Sequence, residues 1–287
     1  MTAEESSGQI EVRNVSKVYG KGRLANAVIR DCSFVVERDK LTVMIGPSGS
    51  GKSTMMRLLA GFEQPSDGTI LFNGQPVKKP GLDRLVVFQE TALYPWMTTF
   101  DNVAYGPTAQ RRPVSSVTDA TQAILERVGL KRFQKSYPNQ LSGGMQRRAE
   151  LARALINNPA IMMLDEPFRG LDAMTRTLME EYYSRLFESS NRTHLFITTD
   201  IDEAIFLADR LLIMSNAPLQ VREILEVDLP RPRRAADILA SDRANDLKMK
   251  ALAILHDEAL RSFASGHRAT GDFVEAYSRR YAQSNRD

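Results

Sequence analysis

Apolar residues recur at every second position or so over Ile10–Tyr19 (Ile10, Val12, Val15, Val18), which predicts a half-buried strand. A second strand is predicted within Val28 to Glu37, around Phe34-Val35-Val36. Leu41–Ile45 is a short apolar run that predicts another strand, and Ile161–Leu164 is an apolar run without alternation, as in a central parallel strand. Gly68–Phe72 with its Asn73-Gly74 turn, Leu85–Phe88, Leu195–Thr199 and Arg210–Met214 predict further strands, and Val221–Val227 alternates as an edge strand does. Helical spacing marks Met55–Ala60, Thr118–Val128 with a Gly129 stop, Met145–Ile156, Leu171–Phe187 and Asp202–Ala208. Leu93–Pro107 reads as an irregular connector plus a short helix, and Asp228–Arg233 as a linker. Helical patterning resumes over Ile238–Phe263 and Phe273–Ala282, whereas residues 1–9 form a polar lead expected to be flexible. Strands alternating with helices predict an α/β fold with a mostly parallel core sheet. The early strands predict a small antiparallel sheet beside it.

One junction in this pattern carries chemistry. Gly46-Pro47-Ser48-Gly49-Ser50-Gly51-Lys52-Ser53-Thr54 lies between the strand at Leu41–Ile45 and the helix that follows. Strand, glycine-rich turn and helix make the setting in which G-x-x-x-x-G-K-[ST] cradles phosphate. The glycines let backbone N–H groups turn inward, and the helix adds its positive end. The pattern predicts Lys52 on the β- and γ-phosphates and the Ser53 hydroxyl on Mg²⁺. Asp165 ends the second apolar run, where open α/β sheets place ligand-binding groups. It is the candidate partner of Ser53 on the metal, with Glu166 the candidate that polarises a water. Gln89, at another strand end, is a candidate for sensing both metal and water. Ser142-Gly143-Gly144 feeds a helix N-terminus and reads as a second anion site without its own lysine. Tyr19 precedes a glycine turn and fits either a ring stacked on a purine or a core aromatic.

Composition narrows this only slightly. With 287 residues, 43% hydrophobic, the chain is long enough for one large α/β domain or two smaller ones. A net charge of +3 gives no reason to expect a nucleic-acid partner. The single cysteine, Cys32, excludes an internal disulfide and suits a reducing compartment. The N-terminus is acidic and polar, without signal-peptide character. No apolar run is long enough to span a bilayer, so any work at a membrane is expected to go through a docked partner.

The order of these motifs resembles the ATP-binding-cassette (ABC) ATPases. Tyr19, Gly46 to Thr54, Gln89, Leu141-Ser142-Gly143-Gly144, Ile161 to Pro167 and Leu171-Asp172 fall in the family's sequence over roughly residues 10–230. The resemblance implies a P-loop fold with an antiparallel β subdomain and a helical subdomain at about 94–158, followed by a linker and helical extension at 231–287. It implies ATP and Mg²⁺ as cofactors, and ATP hydrolysis coupled to solute transport. It also implies a head-to-tail dimer, of identical or different chains, in which the loop of one subunit and Ser142 to Gly144 of the other enclose one ATP. A transmembrane permease subunit, contacted near Gln89 and Trp96, and an external solute-binding protein complete the implied system. The implied location is the cytoplasmic face of the membrane, peripherally bound.

Leu93–Val103, Asp200–Arg210 and Val227–Arg233 look like importer subunits of the nitrate, sulfonate and taurine group. The chain departs from the family at two places. Thr199 stands where a histidine usually contacts the γ-phosphate, and Arg169-Gly170 replaces small residues. A hydroxyl carries no charge, so slow hydrolysis is expected. His194 cannot substitute, being roughly 16 Å back along the same strand and on its other face. The competing expectations are a weakly hydrolysing regulatory cassette paired with a catalytic one, and a nucleic-acid- or ribosome-directed relative. The second of these usually has two cassettes or a long coiled-coil insertion, and this chain has neither.

Overall fold

The computed structural model describes residues 8–190 and 192–266. Strands β1 (Ile10–Tyr19), β2 (Asn26–Val36), β4 (Asp67–Phe72) and β5 (Gln75–Pro76) form an antiparallel sheet in the order β2-β1-β4-β5. The main sheet contains β3 (Leu41–Ile45), β6 (Arg84–Val87), β7 (Ile161–Asp165), β8 (Thr193–Thr198), β9 (Arg210–Met214) and β10 (Val221–Glu226). Its order is β10-β9-β3-β8-β7-β6, with every pairing parallel except that of the edge strand β10. The carboxyl ends of β3, β8, β7 and β6 therefore lie side by side. The loop Gly46–Thr54, Thr199, Asp165-Glu166 and Gln89 each follow one of these four ends.

The apolar runs are explained by cover on both faces. Leu41, Val43 and Ile45 pack with Met162, Leu164 and Phe196 against α5 (Ala173–Glu188) and α6 (Ile201–Leu207). Met44, Met163, Leu195 and Ile197 face the other way, onto α1 (Lys52–Ala60) and the inner face of the antiparallel sheet. Burying each such side chain stabilises the fold by about 1.5–3 kcal/mol, so the central strands hold their ends in fixed positions. A third cluster, including Leu93, Val103, Leu125, Ala149 and Ile156, joins α2 (Thr99–Ala109), α3 (Val114–Arg127) and α4 (Gly143–Leu155). The segment before α2, irregular in sequence, is stapled by the buried Asn102. Its Nδ2 donates to the carbonyls of Tyr94, Met97 and Thr98, each at 3.1 Å, and its Oδ1 accepts from the Tyr94 N–H at 2.8 Å.

Three sequence expectations change. Gly8 and Gln9, placed in the flexible lead, are tied down: their N–H groups donate to the Ala160 carbonyl at 3.1 Å and to Asn73 Oδ1 at 2.8 Å. The helix expected over Ile238–Phe263 is two, α7 (Ala235–Leu239) and α8 (Asp242–Gly266), because Ser241 Oγ accepts from the Ala244 N–H and starts a new helix. The helix expected at Phe273–Ala282 lies outside the described residues. Asp228–Arg233 is a packed strap, with Val227 and Leu229 joining the core on either side of Asp228. Arg233 donates to the carbonyls of Phe206 (2.9 Å), Ala208 (2.7 Å), Leu229 (3.1 Å) and Val227 (3.4 Å). Ala244, Leu247 and Ala251 of α8 extend the same core. Among the described residues no helix is long and apolar enough to cross a membrane.

Removing the Arg233 guanidinium leaves buried carbonyls without donors. Arg233→Ala is expected to lower the unfolding free energy by about 3 kcal/mol, measured by urea denaturation. A loss below about 1 kcal/mol would show the strap to be decorative.

Candidate functional site

The loop after β3 closes on itself before any ligand is considered. Gly49 and Gly51 adopt φ of 74° and 110°, the left-handed region that a side chain would strain. Gly51 then caps α1, whose first residue is Lys52. Lys52 is 5% exposed, and its Nζ donates to the carbonyls of Gly46 and Pro47, each at 2.7 Å. The ammonium thus arches over the loop. Burial pulls its pKa down, against the nearby Glu166 and Asp165 charges. Ser50 is buried, and its Oγ has no hydrogen-bond partner.

Asp165 is 7% exposed at the end of β7 and hydrogen-bonds to the side chain of Ser53. Burial raises its pKa, and the Ser53 hydrogen bond opposes that rise. A carboxylate and a hydroxyl side by side fit a magnesium ion that takes its remaining ligands from phosphate and water. Above them lies a cleft of about 270 Å³ lined by Val28, Ser48, Gly49, Gly51, Lys52, Ser53, Thr54, Gln89, Glu166 and Arg169. Its loop N–H groups, its hydroxyls and its lysine suit an anion, so the residues present fit a nucleotide triphosphate with its metal.

Glu166 follows Asp165 at φ 42°, a strained conformation for a non-glycine residue. Its N–H donates to the Ile197 carbonyl at 2.8 Å, which ties it to β8. Its Oε2 accepts from Arg169 Nη1 at 3.0 Å. A second cleft, about 250 Å³, adjoins the first and is lined by Glu166, Phe168, Arg169, Arg176, Thr198, Thr199, Asp200 and Glu203. Thr199 is exposed and sits one residue beyond the end of β8, not within it. His194 is wholly buried, with its Nδ1 at 2.6 Å from the Tyr183 hydroxyl, and burial lowers its pKa to about 3.

The remaining candidates lie at different distances from this crevice. Tyr19 stands at its margin, within hydrogen-bonding reach of the Thr54 side chain, while its hydroxyl donates to Glu63 at 2.5 Å. Ser142, Gly143 and Gly144 form the start of α4, where Ser142 Oγ accepts from the Met145 N–H at 3.3 Å. They line neither cleft. Two residues with no assigned role in the sequence connect α4 to the crevice. Arg147 donates to the carbonyls of Phe88 (2.9 Å) and Gln89 (2.6 Å), and pairs with the buried Glu150 at 2.5 Å. The strand end bearing Gln89 is thereby fixed to the helix that begins at Gly143. An Arg-Glu pair at i, i+3 was the available sequence signal, but on a helix it reads as a solvated face.

Comparison with known proteins agrees with this arrangement. The family model for ABC transporters matches residues 29–169. The chain is 40% identical to the nitrate import ATP-binding protein NrtD of Synechococcus elongatus, over 88% of this chain and 94% of that one. It is 37% identical to the aliphatic sulfonates import ATP-binding protein SsuB of Bacillus licheniformis, over 83% and 93%. Among solved structures, it is similar to a dimeric post-hydrolysis state of the ATP-binding cassette MJ0796 bound to ADP and Pi. That match has a TM-score of 0.67 and 26% identity, and covers 77% of this chain and all of the other.

Two carboxyls that both feel the Asp200 charge make stability depend on pH. Burial pushes Glu203 up to about 8, opposed by its hydrogen bond to Thr198. Burial, then the Asp200 charge, raises Glu180 to about 7. Both folded values exceed the unfolded value of about 4.3, so the fold binds the extra protons. The stabilisation is complete below that value and is lost as pH rises through about 7 to 8. The melting temperature is expected to fall between about pH 5 and pH 8, and Glu203→Gln to flatten the fall. Equal slopes for the two proteins would contradict the placement of Glu203.

Proposed function

The chain belongs to the ABC transporter family of ATP-binding proteins, and we propose that it energises a membrane importer of a small anion. Its cofactors are ATP and Mg²⁺, and it hydrolyses ATP. The observation that carries the proposal is the convergence of four adjacent strand ends on one crevice, with the loop, Asp165, Glu166 and Gln89 brought together there. The importer class is supported by relatives named for nitrate and aliphatic sulfonate import.

Each residue has a role in this reading. Lys52 leaves the Gly46 and Pro47 carbonyls for the β- and γ-phosphates, and loop N–H groups hold the same oxygens. Ser53 and Asp165 would hold Mg²⁺, and Gln89 is a further candidate to sense it. When bound, Mg²⁺ neutralises phosphate charge and so stabilises the transition state. Glu166 orients a water and takes its proton. Its strained backbone, fixed by Ile197, keeps that carboxylate aimed into the crevice. Tyr19 stacks on the adenine. Ser142, Gly143 and Gly144, which line neither of the chain's own clefts, complete the site of a second ATP-binding subunit. Thr199, without a charge, makes hydrolysis slow.

A permease docks on the surface at Trp96. That ring is 70% exposed and tilted on Tyr94, whose own ring meets Tyr105 edge-on. Exposed aromatic clusters of this kind suit a protein partner. The protein then sits peripherally on the cytoplasmic face of the membrane, with an external solute-binding protein delivering the anion.

Glu166→Gln is expected to cut ATP turnover by about a hundredfold or more while ATP still binds; turnover kept within about threefold would remove Glu166 as the base. Thr199→His in the assembled transporter is expected to raise turnover, and an unchanged rate would refute the slow-switch reading. Affinity purification from membranes should recover a permease. Recovery of RNA or ribosomes in its place would overturn the transport assignment.

A further inference from the structure

Two residues, Glu166 and Arg169, line both clefts. They also pair with one another at 3.0 Å. We propose that Arg169 is a ligand of the terminal phosphate, exchanged from Glu166 onto the nucleotide when a triphosphate enters. This rests on the reading of the loop cleft as a triphosphate site.

The two partners differ in freedom. Glu166 is 12% exposed and its backbone is fixed to β8, whereas the Arg169 side chain is 59% exposed. The guanidinium is therefore the member that moves. An ion pair so open to water is weak and easily exchanged. A phosphate group offers the same fork geometry with more charge, and a guanidinium binds it through two parallel hydrogen bonds.

The charge inventory points the same way. Lys52 and Arg169 are the basic side chains lining the loop cleft, and Arg169 and Arg176 are those lining the cleft with Thr199. Arg176 is engaged by Asp200 at 3.2 Å and by the Leu171 carbonyl at 3.4 Å. Arg169 is thus the cation shared by the two clefts, and its recorded partner in them is the candidate base itself. Its departure frees Glu166 Oε2 to accept a proton from water. A diphosphate lacks the group that draws Arg169 away, so the pair persists and the carboxylate stays engaged. The same exchange would recognise the third phosphate and release the base only when there is a bond to cleave.

The test is the ratio of two dissociation constants for the full-length protein with Mg²⁺: one for the β,γ-imido analogue of ATP, one for ADP. Calorimetry measures both. Arg169→Ala and Arg169→Gln are each expected to weaken the analogue by about tenfold or more, with ADP within about twofold. Arg169→Lys, which keeps the charge but not the fork, should fall between them and wild type. A structural role would weaken both nucleotides together. Equal weakening, no change, or tighter analogue binding in the Ala and Gln variants would overturn the proposal and leave the site reading intact. Failure of the wild-type protein to bind either nucleotide would overturn both.

Discussion

The structure depends on holding two opposite charges below water at one edge of a sheet. Lys52 and Asp165 are each under a tenth exposed, and burying a charge costs several kcal/mol unless it is paired and hydrogen-bonded. Here the loop carbonyls answer the ammonium and Ser53 answers the carboxylate. The opposed shifts, Lys52 down and Asp165 up, show that burial still outweighs those partners. A polyanion with a divalent cation fits that arrangement, since it gives the ammonium phosphate oxygens and the carboxylate a metal. The sheet order serves this constraint. Because β8 lies between β3 and β7, Thr199 falls between the loop and Asp165-Glu166, and the Ile197 carbonyl is available to fix Glu166.

The helical layer and the C-terminal extension hold the frame around this edge. Arg147 reaches from α4 to the carbonyls of Phe88 and Gln89, so the helix starting at Gly143 cannot shift without moving a wall of the crevice. Any coupling between α4 and the crevice would travel through that contact, a buried charge pair with two backbone acceptors. Within the core cluster that α4 also joins, Arg233 and Arg231 bind the carbonyls around α6, which follows Thr199 and Asp200. The extension therefore braces the helix that carries the second cleft.

Much of this was legible in the sequence because the signals are local. The loop, the apolar run ending in Asp165-Glu166 and the Ser142 turn each need only a few adjacent residues to be read. The loop and Asp165-Glu166 converge because β3 and β7 are parallel strands of one sheet, whereas the Ser142 turn starts α4 and lines neither cleft. What escaped sequence reading depends on distant partners. The acceptors of Arg147 lie about sixty residues earlier in the chain, and two of those of Arg233, the carbonyls of Phe206 and Ala208, lie at the end of α6. A proline- and arginine-rich stretch reads as a linker because composition cannot reveal that the Arg233 guanidinium is buried. The Glu166–Arg169 pair spans three residues outside any helix, where no periodic pattern brings side chains together. Asn102 is similar: one buried amide orders a segment whose own residues carry no regular pattern.

The central claim is that the buried Asp165 carboxylate waits for a metal that arrives with the nucleotide. Its most direct test is ATP affinity measured with and without Mg²⁺, in the wild type and in Asp165→Asn. A site built in this way binds ATP more tightly when Mg²⁺ is present, and Asp165→Asn loses that gain while binding metal-free ATP at least as well as the wild type. If Asp165→Asn gained as much from Mg²⁺ as the wild type does, the metal would be held elsewhere and the assignment of the crevice would be wrong.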